Sequence, residues 1–490
     1  MNKKLNLEIL MFLILLSSLV SKGQTQLGQN IEVQESFASF AYSVSSSFDG
    51  SSVAIGAYGK TDWGFRVFNY NGSAWEQVGN DIPTEYPNEI SIYPVALSAN
   101  GNRVAVGAVI NVGGFPDFGK VRIFEFNGID WDQIGSDLIG ESNNDFFGSR
   151  ISLSSSGDRL IVGAKFNNSS RGNARVFEYN GIDWVQLGED IDGDNDQFHF
   201  AESVAISYDG NFVAVGSNQF VPSTGQGSGL VRIYEYDGIN WIQVGGDLIG
   251  EEGQDNFGIR ISLSNVGNRI AIGANETITR MGYVKVYDFD GASWIQTGAT
   301  LHGDIPGDRF GRMVSLSDDG NRLAIGSPSN DQNGNRPGLV KLYEFYNSNW
   351  VQLGDDIGGD LVLDEFGGSI SISPDGDTVV IGALTYIYSQ SGTEEGYAKV
   401  FDLSDLVLSI EDITDANRIV IYPNPAKEIL RIYNSQDIKE IKIFDSMGRL
   451  VKHEALMDSE INISNFQNGL YLITFITTQN KIISLKLVKY

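Results

Sequence analysis

Residues 151–188 read ISLSSSGDRLIVGAKFNNSSRGNARVFEYNGIDWVQLG, and this stretch decides the fold. Ile151 to Ser154 alternates apolar and polar side chains, the period of two that a strand requires. Ser155-Ser156-Gly157 turns the chain into a second strand, Arg159 to Ala164, whose valine and small residues suit a buried position. Ala174 to Tyr179 alternates again, Asn180-Gly181 is a hairpin signal, and Trp184 to Gly188 forms a fourth strand.

The same text returns along the chain. Glycines six residues apart recur as Gly50/Gly56, Gly101/Gly107, Gly157/Gly163, Gly210/Gly216, Gly267/Gly273, Gly320/Gly326 and Gly376/Gly382, in steps of 51, 56, 53, 57, 53 and 56 residues. Around the second glycine stand VAIGA, VAVGA, LIVGA, VAVGS, IAIGA, LAIGS and VVIGA. Ten residues before the first glycine is Phe40, Phe147, Phe200, Phe257, Phe310 or Phe366, and only the second copy departs, with Ser91. Six copies close on a tryptophan: Trp75, Trp131, Trp184, Trp241, Trp294 and Trp350. No helical period survives in this region. Four strands per copy at this period give a propeller of seven blades, with a stacked solenoid as the structural alternative. Ring closure decides between them. The seventh copy ends near Asp402 without its tryptophan strand, and Gln26-Leu27-Gly28-Gln29-Asn30-Ile31 repeats the pattern of Gln352-Leu353-Gly354-Asp355-Asp356-Ile357. An N-terminal strand completing the last blade joins the ends of a ring and protects an open edge, which a solenoid does not need.

The Phe-Gly pairs (Phe147-Gly148, Phe257-Gly258, Phe310-Gly311, Phe366-Gly367) and the Gly-Ala or Gly-Ser of the second strand resemble FG-GAP repeats, the blades of integrin α-type propellers and of many bacterial surface proteins. The resemblance covers residues 24–403. Calcium-binding members of that family carry an Asp-x-Asp-x-Asp-Gly loop between the first two strands. This chain has only turns such as Asp319-Gly320 and Asp375-Gly376 there, so that calcium role does not transfer.

The 490 residues carry 62 Asp+Glu against 34 Lys+Arg, no cysteine, 57 glycines and 11 prolines. A formal charge of −28 excludes a nucleic-acid backbone and an anionic membrane surface as main partners. The missing cysteines exclude disulfides, thiol catalysis and Cys-ligated zinc. Residues 1–23, with Lys3 and Lys4 before the apolar run Ile9 to Leu16 and small residues after it, read as a secretory signal peptide. That run is far shorter than the roughly 20 residues of a spanning helix, so no transmembrane span is expected. Residues 24–417 hold a net charge of −33, which salt, divalent cations or a cationic partner would stabilise.

In a four-stranded antiparallel blade the long second-to-third loops share one face with the interblade crossings, and here both are variable or acidic. Binding is expected on that face. Asp190, Asp192, Asp194 and Asp196 alternate there around Gly193, and hard oxygen ligands on a turning loop suit calcium, against the plainer reading of a solvated acidic loop. Trp63, in a variable loop, is the candidate exposed aromatic for ligand binding, whereas one tryptophan per blade at a fixed position reads as packing. His199 and His302 lie two blades apart, which argues against a shared role.

Residues 404–417 read as a linker, and residues 418–490 as a small β-sandwich of short strands. Tyr422-Pro423-Asn424-Pro425, Gly448-Arg449 within Met447 to Val451, Asn468-Gly469-Leu470-Tyr471 and Lys486-Leu487-Val488-Lys489 resemble, in order, the type A C-terminal sorting domain of the type IX secretion system. The resemblance implies export across the outer membrane of a Gram-negative bacterium to its surface or beyond, with the secretion machinery and a surface sortase as partners. The fold expected is therefore all-β, a seven-bladed β-propeller followed by a small β-sandwich. The activity expected is non-catalytic binding of an extracellular glycan, peptide or protein, since no Ser-His-Asp order or nucleotide loop is present. The alternative is a polysaccharide hydrolase or lyase using carboxylates near the channel. Repeated acids such as Asp145, Asp255, Asp308 and Asp364 read as structural.

Overall fold

The computed structural model describes residues 24–32, 38–59, 63–83, 91–92, 94–110, 118–195, 199–219, 227–251, 253–275, 281–331, 336–384, 396–406, 408, 420–422, 427–433, 438–445, 449–455, 460–478 and 482–489. The proposed signal peptide lies outside them. The chain divides into two compact units, 1–408 and 409–490.

In the stretch quoted above, Arg150–Leu153, Arg159–Ala164, Asn173–Tyr179 and Trp184–Gln186 pair antiparallel in sequence order, with Ile151 opposite Val162, Ile161 opposite Val176 and Phe177 opposite Gln186. A fifth strand, Ile191–Asp192, pairs with the far end of the third, beside the fourth. The sequence reading had only four strands per copy. Gly188, with φ of +76°, turns the chain between the last two. The same five-stranded sheet recurs from Ser203, from Arg260 and from Met313. Another joins Ser369–Ile372, Thr378–Ala383 and Tyr397–Asp402 to Thr25–Gln26 and Ile31–Glu32, so the N-terminal strands complete the last sheet. The first two copies merge into one eleven-stranded sheet through Ser91–Ile92, which pairs with both second strands. The copy that lacks its phenylalanine is the one whose crossing becomes a strand.

The innermost strands pack in sequence: Ala38–Ser46, Val95–Leu97, Arg150–Leu153, Ser203–Ile206, Arg260–Leu263, Met313–Leu316 and Ser369–Ile372, the last against the first. Their polar alternates knit neighbouring copies. Ser45 Oγ accepts from the Leu97 N–H at 2.9 Å, Ser262 Oγ from Leu316 at 2.9 Å and Ser315 Oγ from Ile372 at 3.0 Å. Ser371 Oγ accepts from the Ser46 N–H at 3.2 Å, which closes the ring.

The repeated residues earn their places between copies. Phe40, Phe147, Phe200, Phe257, Phe310 and Phe366 are at most 1% exposed. The residue after each adopts positive φ, from +59° at Ala41 to +87° at Gly148, which explains the preference for glycine. Its carbonyl presses on the second-strand glycine of the preceding copy. A Cβ on Gly107 would lie 2.0 Å from the Gly148 oxygen, and one on Gly273 2.1 Å from that of Gly311. Each blade-closing tryptophan is buried and donates its indole N–H to the preceding copy, Trp131 to Val78 O at 2.9 Å and Trp241 to Leu187 O at 2.8 Å. Trp75 donates to Leu27 O of the N-terminal segment at 2.8 Å.

The second unit is a β-sandwich. Val420–Tyr422, Ile429–Tyr433 and Glu460–Asn462 form one sheet, and Leu450–Ala455, Ile438–Asp445, Gly469–Thr477 and Ile482–Lys489 the other. Both sheets feed one core that includes Leu430, Ile432, Ile461, Ile443, Ile473 and Phe475.

Candidate functional site

The structure disperses the acidic run. Asp190 accepts from Gln186 Nε2 at 2.7 Å and from Asn173 Nδ2 at 3.1 Å. The first of these bonds is a repeat feature, since Gln77–Asp81, Gln133–Asp137, Gln243–Asp247 and Gln352–Asp356 make the same link. Asp194 is held by Arg232 Nη2 at 2.5 Å. Asp192 makes no such bond among the described residues, and its carboxyl is raised by burial and by the neighbouring Asp190. Asp196 lies outside the described residues. Among the described residues no group of three or more acidic or histidine side chains is placed to hold a metal ion. Trp63 opens the strand Trp63–Tyr70 opposite Pro83, rather than standing in a loop, and its side chain lies outside the described residues. His199 packs edge-on against Phe166 and His302 against Tyr283, each in its own crossing. Burial pushes the His302 imidazole down to about 4.

A different cluster surrounds the central channel. A cavity of about 450 Å³ opens among the inner strands, walled by residues from each of them together with Arg309, Pro328, Glu365 and Leu384 of the crossing face. Arg150, Arg260 and Arg312 point into it. Glu202, its side chain 8% exposed, ties the cluster together. It takes Arg150 Nη2 at 2.9 Å and Lys165 Nζ at 2.7 Å, with Arg260 Nη1 at 3.8 Å. Burial alone would raise its carboxyl, but Arg150, Lys165 and Arg260 outweigh burial and hold it at about 2. Arg150 is also fixed by its bonds to Glu202 O at 3.0 Å and Ser149 O at 2.8 Å. Arg260 gives one N–H to Ile259 O at 2.6 Å. The Arg312 side chain makes no hydrogen bond or ion pair among the described residues. Burial, and then the mutual repulsion of these guanidinium groups, pushes Arg260 and Arg312 below the usual range. Glu365 is raised by burial against the pull of Arg309, Arg336 and Arg312.

These residues break the repeat. Three positions after the phenylalanine, Ser43, Ser203 and Ser369 stand where Arg150 and Arg260 do. Two positions after it, Tyr42, Ser149 and Gly368 stand where Glu202 and Arg312 do. The repeat thus accepts neutral residues at these places in other copies. Sequence reasoning singled out none of them. Subtracting the seven aligned copies from one another would have exposed them.

In the second unit, Tyr422 ends a strand opposite Arg431, and Arg449 pairs with Asp445 at 2.8 Å. Gly469 opens its strand opposite Lys489, Tyr471 donates its hydroxyl to Gln467 O at 2.8 Å, and Lys486 lies opposite Leu472. Pro423, Asn424, Pro425 and Gly448 lie outside the described residues. Residues 420–490 match the secretion system C-terminal sorting domain. The sorting domain makes the chain a cargo of the type IX machinery, bound for secretion or the outer-membrane surface. No helix among the described residues is long and apolar enough to cross a membrane.

No curated protein sequence matches the chain. Among solved structures it is similar to a putative 6-phosphogluconolactonase from Bacteroides uniformis (13% identity, TM-score 0.46, covering 65% of this chain and 86% of that one). It is also similar to the Dos1 propeller (10%, 0.45, 78% and 95%) and to the periplasmic gluconolactonase of Pseudomonas aeruginosa (14%, 0.44, 82% and 94%). At these identities the likeness is one of fold alone; the propeller itself is given by the repeated sheets and the closed ring of their inner strands. Two of the three carry the names of lactonases, so the expectation that this chain is not an enzyme is corrected.

Proposed function

We propose that the chain is an exported, seven-bladed propeller with FG-GAP-like blades that binds an extracellular glycan, peptide or protein at the arginine-lined end of its channel. The seven inner strands packed in a closed ring support the blade count. The buried phenylalanine followed by a left-handed residue supports the blade type. One observation carries the binding site: Arg150, Glu202, Arg260 and Arg312 are a charged, non-repeated cluster on a cavity that every inner strand walls. The sorting domain supports a ligand met outside the cell. The test is a screen of the full chain against glycan and peptide arrays, repeated with the Arg260→Gln/Arg312→Gln double variant. Ligands bound by the wild type and lost by the variant support the site, and equal binding by both overturns it.

A carboxylate-based cleavage of polysaccharide is the second reading. Glu202 is held low and Glu365 is raised at the same channel end, the divergence that separates a permanent anion from a proton carrier. Release of reducing ends from a polysaccharide panel, abolished in Glu365→Gln, would support it, and absence of release would exclude it for those substrates.

A further inference from the structure

We infer that the channel end binds a compact organic acid through its carboxylates, with Arg260 and Arg312 as the ligand contacts and Arg150–Glu202 as their support. The inference rests on the channel end being the binding site. Its first ground is charge. Among the described residues, Arg150, Arg260, Arg309 and Arg312 line the cavity with Glu365 as its one lining carboxylate, and Glu202 lies behind them with Lys165, while residues 24–417 as a whole carry a net −33. Positive groups drawn together out of bulk water are costly unless a counter-charge joins them. Because Ser, Tyr, Gly and Met fill the matching positions in other copies, no structural need maintains the cost.

The second ground is donor supply. A guanidinium carries five N–H donors in a planar fork that matches a carboxylate in bidentate fashion. Arg150 directs three of its nitrogens to Glu202 and Ser149 and is committed to the scaffold. Arg260 uses one nitrogen on Ile259 O, and Arg312 uses none among the described residues. Arg312 therefore offers the cavity its whole fork among the described residues, and Arg260 the nitrogens other than the Nη1 held by Ile259 O and Glu202. The third ground is size: about 450 Å³ falls in the range of small-molecule sites and admits one or two sugar rings or a free polycarboxylate. The acidic excess of residues 24–417 repels an approaching acid, and the arginines at the channel end attract it, which favours binding there.

The two sources of such a carboxylate, a free polycarboxylic acid and a uronic-acid residue of an acidic polysaccharide, are separated by the choice of probe. The full chain and its Arg312→Gln variant are melted and titrated with citrate, trigalacturonate, neutral galactotriose and sulfate at one ionic strength. Expected is a rise of more than about 3 °C in the wild-type midpoint with citrate or trigalacturonate at saturation, and with neither control. Arg312→Gln should melt no lower than wild type without ligand, because a repelling charge is gone. It should lose the shift and bind the acid at least about tenfold more weakly. Binding of citrate alone assigns a free acid, and binding of trigalacturonate alone assigns a polysaccharide. Shifts no larger than those of sulfate, or equal shifts in wild type and variant, overturn the inference. If the variant itself melts lower than wild type, Arg260→Gln serves as the second variant with the same readouts. Loss of a neutral glycan or peptide ligand in Arg312→Gln, with no acid bound, overturns the ligand class and leaves the site. Indifference of every ligand to both variants overturns the class and the site together.

Discussion

Gly273 and Gly291 are both repeat glycines, yet they answer to different constraints. A Cβ on Gly273 would lie 2.1 Å from the Gly311 carbonyl oxygen of the next copy, and backbone there cannot yield. Gly291 sits at φ +96° with nothing within 4 Å of the same atom. Gly273→Ala should therefore cost about 2–4 kcal/mol through overpacking and Gly291→Ala about 1 kcal/mol through backbone strain alone, a difference that urea unfolding of both variants would measure. Glu202 makes a sharper case. Its carboxyl is depressed from 4.5 to about 2, so its contribution is complete above pH 4.5 and disappears as pH falls towards 2, a window worth roughly 3 kcal/mol. Glu202→Gln should lose about 3–5 kcal/mol at pH 7, because Arg150 and Lys165 would remain buried without their partner. It should also flatten the acid limb of the stability curve between pH 4.5 and 2, and an unchanged limb would reject this role. The glycine repeat was legible in the sequence because periodicity is a one-dimensional signal. The reason for it, a carbonyl from the next copy, belongs to three dimensions. Glu202 carries no local pattern, one acid among 62, and stands out only when the copies are aligned and Tyr42, Ser149 and Gly368 are seen at its position.

At the scale of elements, closure rests on very little chain. Thr25–Gln26 and Ile31–Glu32 pair with Tyr397–Asp402, Leu27 N–H donates to Val400 O at 2.8 Å, and Leu27 O receives the indole of Trp75. Nine residues thus join the last sheet to the first copy. Deleting residues 24–32 should remove about 3 kcal/mol from the lost burial of Leu27 and Ile31 alone. It should also bare the edge of Tyr397–Asp402, with self-association seen by size-exclusion chromatography. A synthetic peptide of residues 24–32 added in trans should restore the midpoint, and failure to restore it would mean that closure is not what the segment provides. This strand was readable from sequence because it copies Gln352 to Ile357 in composition and order. Ile191–Asp192 and its counterparts were not, since two residues carry no period. Leu450–Ala455 escaped for another reason. It is an exposed edge strand, LVKHEA, without the alternation that a buried face imposes.

The charge of the whole molecule is arranged rather than merely excessive. The acidic crossings meet a cation from the third strand of a blade: Arg66 with Asp81 at 2.6 Å, Arg232 with Asp247 at 2.9 Å, Lys341 with Asp304 at 2.6 Å and Lys399 with Asp360 at 2.6 Å. These cations are 9–12% exposed, so these four acids have their counter-charges built in. What remains unbalanced is the acidic excess of residues 24–417, net −33, and the group of arginines at the channel end. The two respond oppositely to salt. Raising NaCl from about 10 to 150 mM shortens the screening length from about 30 to 8 Å and should raise the thermal midpoint by relieving the surface repulsion. Calcium chloride at the same ionic strength should add nothing to that rise. A saturable extra rise with calcium would instead point back to the crossings and to the aspartates at 190–194. Replacing chloride by a carboxylate at constant sodium leaves the surface term fixed, because the counter-ion of an acidic surface is the cation. A further change in midpoint then reports binding of the carboxylate to cationic groups, and its disappearance in Arg312→Gln would locate that binding at the channel.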